Sequence, residues 1–372
     1  MKRVLEIGQI VAGPTAGLIL ADMGYEIIKI ERPGTGDVSR NLNGTSAGTF
    51  LYYNRDKKSV SLDIGKEHGR DILRNLIKNS SIIIENMAPG TMDRLGFSFD
   101  ECKKINPDII YLSLKGYMQG PYHGRKSLDY PIEIESGLAY MTGINGKPMR
   151  MGASVVDMAA AIIGVSRILQ FISENRSGFI EIGLFETAMF LAGQHIATYQ
   201  IENKDLPPIN EKNFAWGVYD YFLSADNKKI FIAVATDDQW KDFCQAFEMK
   251  NFIDNPEMAT NAGRYAHRDT LIPEIQRVLL SLDYNTIKEK LNAYNISYGV
   301  LNRPWDLLHD IHAEKYLINT AYLGKDYKIP GMPFAESRKH AVPDLGIDTQ
   351  SVLLEAGYTD DQIRAFKEEM VI

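Results

Sequence analysis

Asp157 is the residue whose setting points first to chemistry. It is the fourth residue of Ser154-Val155-Val156-Asp157, at the head of an apolar run that reaches Ser173. A carboxylate in a first helical turn sits at the positive end of the helix dipole, where it is expected to stay ionised and rigidly held. Fixed and ionised, it can act as a nucleophile. The same spacing also fits a capping box, in which the acid only bonds the Ser154 amide, and spacing alone leaves both readings open. A second set of residues follows the expected strands. Val11-Ala12-Gly13-Pro14 come after the first, Glu31 and Arg32 after the second, Asn86-Met87-Ala88 and then Arg94 after the fourth, and Lys115-Gly116 after the fifth. Ligands of open doubly wound sheets gather beyond the carboxyl ends of the strands, and small residues at a helix start let backbone amides approach an anion. Three separated cations there suit a ligand with several phosphates, although each alone also reads as a solvated surface residue.

The elements that must position these residues follow from hydrophobic periodicity. Up to about residue 115, short runs at Val4–Ile7, Glu26–Ile30, Ser59–Asp63, Ile82–Glu85 and Ile109–Leu114 alternate with helical stretches such as Thr15–Met23 and Glu67–Lys78. Nearly continuous apolar strands alternating with helices predict a parallel sheet covered on both faces. Helices are expected over Tyr130–Met141, Val155–Ser173 and Glu186–Ile201, with a short strand at Phe179–Ile182. Leu206-Pro207-Pro208-Ile209 then marks a linker. Beyond it, Val218–Leu223 and Lys229–Ala235 flank Ala225-Asp226-Asn227 as a hairpin, followed by helices near 237–248, 269–282 and 286–295. Two short helices near 349–356 and 360–369 end the chain.

Composition narrows the chemistry. The 372 residues are 45% apolar and 24% charged, with 41 Lys plus Arg against 48 Asp plus Glu, a formal charge of −7. That balance argues against a phosphate-coating nucleic-acid protein. Apolar stretches such as Met158–Val165 fall short of the roughly 18 to 20 residues that cross a bilayer, and Met1-Lys2-Arg3 runs straight into strand-like sequence, so a cytoplasmic protein without membrane contact is expected. Cys102 and Cys244 are too far apart in sequence for a Cys-x-x-Cys site, which leaves oxygen and nitrogen chemistry. Several familiar signatures fail. The first strand-to-helix turn, Gly8-Gln9-Ile10-Val11-Ala12-Gly13-Pro14, lacks Gly-x-Gly-x-x-Gly, and Arg32 beside Glu31 suits a phosphate better than a bare ribose. Gly120 to Ser127 is one residue short of a Walker loop, with Arg125 before Lys126. His309 and His312 have no third metal ligand at a recognisable spacing, and Gly-x-Ser-x-Gly and His-Glu-x-x-His are absent.

In order along the chain, Val11-Ala12-Gly13-Pro14, Ile28 to Asp37 (Ile-Lys-Ile-Glu-Arg-Pro-Gly-Thr-Gly-Asp), Asn54-Arg55-Asp56-Lys57-Lys58-Ser59, Glu85-Asn86-Met87-Ala88-Pro89-Gly90, Arg94-Leu95-Gly96 and Asn106-Pro107 resemble the class III CoA-transferases, the group of formyl-CoA transferase and carnitine CoA-transferase. The likeness continues through Ser136-Gly137-Leu138, Thr142-Gly143, Gly152, Asp157 and Asp238-Gln239-Trp240 to the C-terminal segment. It implies an α/β fold: a Rossmann-like, doubly wound parallel-sheet domain built from both chain ends, a smaller inserted α+β domain, and two subunits threaded into an interlocked homodimer. The corresponding boundaries are 1–205 for the first part of the large domain, 206–217 for the linker, 218–325 for the small domain and 326–372 for the return. The resemblance further implies that Asp157 attacks an acyl-CoA thioester, with coenzyme A as part of the substrate and no metal or redox cofactor. Arg32, Leu62, Ile64, Gly65, Asn86, Met87, Ala88 and Arg94 fall where the family binds CoA. Val11 and Ala12 fall near the thioester, and Lys126 and Asp129 belong to the same expected site. There are departures. Val11 stands where the oxalate-using member has glutamine, and Lys212 to Tyr219, with Asn213-Phe214-Ala215-Trp216-Gly217, replaces a glycine-run loop; Phe214 and Trp216 either line an acyl pocket or pack between domains. The α-methylacyl-CoA racemases share the fold and the aspartate but carry His-Asp where this chain has Leu128-Asp129, which removes one of two proton-exchanging bases. Asp237, near another racemase acid, reads as a helix cap.

Overall fold

Val4, Leu5, Ile82, Ile83 and Ile84 are fully buried, as strands covered on both faces require. They belong to a computed structural model that describes residues 2–211, 216–336 and 340–372. The chain divides into two compact units, one formed by residues up to Pro208 together with His312–Ile372, the other by Ile209–Ile311.

In the first unit the elements run β1 (Arg3–Ile7), α1 (Ala12–Asp22), β2 (Glu26–Glu31), α2 (Thr49–Tyr53), β3 (Lys58–Ser61), α3 (Glu67–Lys78), β4 (Ile82–Glu85), α4 (Thr91–Leu95), α5 (Phe99–Ile105), β5 (Ile110–Lys115), α6 (Asp129–Glu135), α7 (Leu138–Thr142), α8 (Val155–Ser173), β6 (Gly178–Gly183) and α9 (Leu184–Glu202). The six strands pair in parallel in the order β3-β2-β1-β4-β5-β6, so strand order reverses between β1 and β4. That reversal opens a crevice at their carboxyl ends. Alternate side chains feed opposite cores. Val4, Ile82 and Ile84 pack with α1, α6, α8 and α9, and Leu5, Ile28 and Ile83 with α3 and α5. The helix expected over Tyr130–Met141 is broken in two at Gly137, whose φ of +82° a side-chain-bearing residue rarely adopts. Helix α8 is, by length and composition, apolar enough to cross a membrane; here one side of it packs on α1, β5 and β6.

The second unit holds β7 (Val218–Leu223), β8 (Lys229–Val234), α10 (Asp237–Ala246), α11 (Lys250–Ile253), α12 (Asn261–Ala266), α13 (Arg268–Leu279), α14 (Tyr284–Ala293) and β9 (Ser297–Val300). Its antiparallel sheet, in the order β7-β8-β9, covers a core around Trp240, Phe243, Leu271 and Leu291.

The chain then rejoins the first unit as β10 (Leu317–Tyr322), β11 (Lys325–Pro330), β12 (His340–Ala341), α15 (Thr349–Glu355) and α16 (Asp360–Glu368). The return falls at His312, not at 326, and the division at the linker falls between Pro208 and Ile209. Residues 312–325 look like more of the small domain because β10 and β11 form a local hairpin. What assigns them is long-range: β10 also pairs with β12, and Tyr322, Ile329 and Val342 pack on Phe50 and Leu51. Val352, Leu353 and Ile363 of the last two helices complete the core beneath β2, β3 and α3.

Candidate functional site

The turn after β1 is built by close approach and by clamping. A Cβ on Gly13 would lie 2.8 Å from the Gly8 Cα, and one on Gly8 2.9 Å from the Gly13 Cα, so the two glycines let the chain fold back without the dinucleotide fingerprint. Asn86, from the end of β4, grips Gln9 from both sides: its Oδ1 accepts the Gln9 amide at 2.8 Å and its Nδ2 donates to the Gln9 carbonyl at 2.9 Å. Ile10 holds φ at +67°, a costly conformation for a β-branched residue. Its amide donates to the Asp37 carboxylate at 3.2 Å. Asp37 is in turn paired with the fully buried Lys29, which also bonds Glu6 and the Gly8 carbonyl. Burial works against the Lys29 charge, but Glu6, Asp37 and Glu31 outweigh it and hold the ammonium at about 12. This buried network fixes Val11 and Ala12 at the crevice.

Two clefts meet at Gln9 and Met87, which line both. The first, of about 600 Å³, is lined by Arg32, Leu62, Ile64, Gly65, Met87 and Arg94. Arg32 is exposed and its guanidinium has no hydrogen bond or ion pair among the described residues, and Arg94 spends one nitrogen on the Thr91 hydroxyl. Both can therefore meet phosphate. Glu31 cannot take a ribose, because Arg40 holds it through two bonds of 2.7 and 2.8 Å and Ser59 donates to it at 2.7 Å. Lys115, the third cation of the expected set, is committed to Glu85 at 2.7 Å and to the Met87 carbonyl at 2.8 Å, where it braces the loop after β4.

The second cleft, of about 630 Å³, brings together Val11, Ala12, Asn86, Met87, Ala88, Lys126 and Asp157. Arg125, Leu128, Pro131 and Leu184 complete much of its wall, and its described lining contains no histidine. Asp129 lies buried behind this wall.

Asp157 does not form the capping box. Ser154 makes no side-chain cap, and the acceptor at the start of α8 comes from α6: Asp129 Oδ1 receives the amides of Val156 and Asp157, each at 3.1 Å. Asp129 thus occupies the positive helix end that Asp157 was expected to exploit. Burial, and then the Asp129 charge, push the Asp157 carboxyl up to about 7, with Arg150 opposing. The expected full ionisation is thereby corrected: the acid is poised between its two forms near neutrality. A group poised there can attack as carboxylate and leave readily.

Three further residues reach this site without a sequence signal. Tyr53 of the five-residue α2 faces the carboxylates: burial pushes its phenol up to about 12, with Tyr52, Asp157 and Asp129 adding to the effect. Arg150 donates to Asp129 Oδ2 at 3.4 Å and to the Ser154 hydroxyl at 3.3 Å. Glu133 Oε2 accepts the Met151 amide at 2.9 Å. In the second unit, Asp237 pairs with Arg264 at 2.6 Å, and the cap of α10 is Thr236 with Gln239, not Asp237. Asn213, Phe214 and Ala215 lie outside the described residues. No group of three His, Cys, Asp or Glu side chains placed for a metal occurs among the described residues.

Residues 2–349 match the model of CoA-transferase family III. The chain is 27% identical to human succinyl-CoA:glutarate CoA-transferase, over 97% of its length and 86% of that protein. It is 26% identical to formyl-CoA:oxalate CoA-transferase of Streptomyces avermitilis, over 100% of its length and 98% of that protein. In fold it is similar to the crystal structure of a CAIB/BAIF family protein from Brucella suis, with a TM-score of 0.80, 23% identity, and coverage of 95% of this chain and 98% of that one.

Proposed function

The chain belongs to CoA-transferase family III, whose members move CoA between acyl-CoA thioesters and carboxylic acids, and from that premise we propose that Asp157 carries the transfer as a covalent nucleophile. The single observation behind this reading is the half-buried Asp157 carboxyl, poised at about 7, in the wall of a cleft continuous with one that carries two cations able to meet phosphate. The nucleotide end of CoA lies against Arg32, Arg94 and residues 62–65, and the thioester lies between Val11, Ala12 and Asp157. The Asp157 carboxylate attacks the thioester carbonyl, the C–S bond breaks, and an aspartyl anhydride and CoA thiolate form. The thiolate attacks the aspartyl carbonyl, releasing the donor acid and leaving an aspartyl-CoA thioester. The acceptor carboxylate attacks that thioester and re-forms an anhydride. The thiolate then takes the new acyl group and frees Asp157. Each step exchanges one carboxylate or thiolate for another, so no net proton is consumed. Backbone amides directed at the tetrahedral oxyanions are worth on the order of 3 kcal/mol each in comparable sites. CoA held at its remote phosphates supplies orientation and keeps the thiolate in place.

Glutarate and oxalate, in the names of the relatives above, are dicarboxylates, and Lys126 on the cleft wall supplies positive charge for a second carboxylate of the acceptor, Arg125 beside it being paired with Glu135. The large unit also exposes Ile162 and Ile163 on α8 and Phe190 and Ile201 on α9, the last two at 78% and 81% exposure. That apolar surface favours a second copy of the chain covering it, in keeping with an interlocked homodimer. The test is mass spectrometry of enzyme incubated with succinyl-CoA and treated with hydroxylamine. Modification at Asp157, and its loss together with exchange activity in D157N, is the expected result. Full exchange by D157N overturns the assignment.

A further inference from the structure

Glu133 is a fully buried acid on α6, four residues from Asp129 and on the same helical face. Its Oε2 is accounted for by the Met151 amide, while its Oε1 is buried and receives no hydrogen bond. Asp129, one turn earlier on the same helix, raises the Glu133 carboxyl both by its charge and as a side-chain hydrogen-bond partner. Ionised carboxylates only accept, so such a contact exists only when one of the two holds a proton. Asp129 already accepts the amides of Val156 and Asp157 on one oxygen and faces Arg150 with the other. Every contact of Asp129 suits a carboxylate, which leaves Glu133 as the protonated member.

We propose that Glu133 is a positioning residue that works in its neutral form, its proton shared with Asp129 so that the latter's carboxylate holds the first turn of α8, and Asp157 with it, in register with the cleft. Met151, held by the other oxygen of Glu133, follows Arg150 directly and begins the segment that leads into that turn, so one side chain steadies both approaches to Asp157. Burial pushes the Glu133 carboxyl up to about 7, with Asp129 adding and Arg150 opposing, so it gives up its proton near neutral pH. Two facing carboxylates then repel, and the hold on α8 slackens. Asp129 on its own helix and Arg150 before α8 act on it; the other titratable groups on α6 and on the helices packed against it are Tyr130 and Glu135 on α6, Asp157 and Arg167 on α8, Tyr140 on α7, and Glu186, His195, Tyr199 and Glu202 on α9. Beyond α6's own neighbours, Tyr53 on α2 faces Asp129 and Asp157.

This inference rests on Asp157 as the acylated group, and two measurements on the full chain separate the claims. The first is the pH dependence of kcat for CoA exchange in the wild type, E133Q and E133A. Glutamine offers a donor and an acceptor as neutral Glu133 does, but does not titrate. The wild type gives a bell, its acid limb from Asp157 and its alkaline limb from Glu133. E133Q keeps its maximal kcat within about twofold and loses the alkaline fall, whereas E133A loses about tenfold in kcat with KM for the thioester little changed. An alkaline limb that persists in E133Q, or a loss in E133Q as deep as in E133A, overturns the proposal. The second is the infrared carbonyl band of neutral carboxylic acid in the resting enzyme, which needs no turnover. A component of that band present at neutral pH and missing from E133Q supports the shared proton even if no aspartyl adduct forms; identical bands in the two proteins refute it even if Asp157 is acylated.

Discussion

Replacing Asp129 by asparagine separates what its charge does from what its shape does. The asparagine keeps an oxygen for the amides of Val156 and Asp157, now 3.1 Å from Asp129 Oδ1, but removes the negative charge that raises Asp157. The Asp157 carboxyl stands at about 7 against an ordinary 3.8, with burial the first cause and Asp129 the second. The Asp129 charge is the smaller of the two raising causes, so its removal takes away less than half of their combined effect, each pH unit being about 1.4 kcal/mol. The acid limb of kcat therefore moves to lower pH by that share in D129N. A neutral acceptor holds amides less strongly than a charged one, so the plateau kcat falls about tenfold at the same time. The assay is acyl-CoA exchange followed by mass spectrometry across the acid limb, each variant normalised to its own plateau. An acid limb that stays where it is, or moves to higher pH, refutes the electrostatic account of Asp157.

D157N tests the same carboxyl through folding. The folded-state value lies above the ordinary one, so Asp157 adds stability at low pH that is lost as pH rises from about 4 through about 7; D157N should melt higher than the wild type at alkaline pH and equally at acid pH by calorimetry. R32A and R94A should each raise KM for the CoA thioester about tenfold, by about 1.4 kcal/mol, with smaller effects on kcat, and should do so less at high salt. Titrating binding with CoA and with a fragment lacking the phosphates reads this directly, and equal losses for both ligands would contradict it. G13A places a Cβ 2.8 Å from the Gly8 Cα and 3.1 Å from Asn86 Oδ1, which the Gln9 amide already holds, and is expected to cost about 1 to 3 kcal/mol and most of the exchange activity; a variant of unchanged stability and rate would show that the turn can yield.

The sheet was legible because its strands announce themselves locally: Ile82–Glu85 begins and ends in the structure where its apolar pattern does, and so does the helix Val155–Ser173 packed on the sheet. Arg32, Asn86 and Met87, which follow directly on strands, line the two clefts, as their places in the sequence suggested. What the sequence hid depends on contacts between distant segments. The cap on α8 is supplied by Asp129, 27 or 28 residues before the amides it accepts, so the local Ser-x-x-Asp pattern pointed to a bond that does not form. Glu133 sits in Tyr130-Pro131-Ile132-Glu133-Ile134-Glu135, where an alternating pattern gives no reason to bury one glutamate rather than the other, yet Glu133 is enclosed and Glu135 bonds Tyr117 and Arg125 near the surface. Lys115 looked like a free cation because Glu85 is 30 residues away. The return of the chain at His312 was missed for the same reason, β12 being needed to show where β10 belongs.

The grip on Gln9 and Ile10 has a consequence for how such an enzyme acquires a new substrate. Both residues are fixed from beneath by Asn86, Asp37 and Lys29, so exchanges along that side of the crevice disturb the foundation as well as the lining. On the opposing side Leu128 and Pro131 are exposed and carry no such load. On the proposed placement of the thioester, acyl preference can drift there while its seat stays where it is.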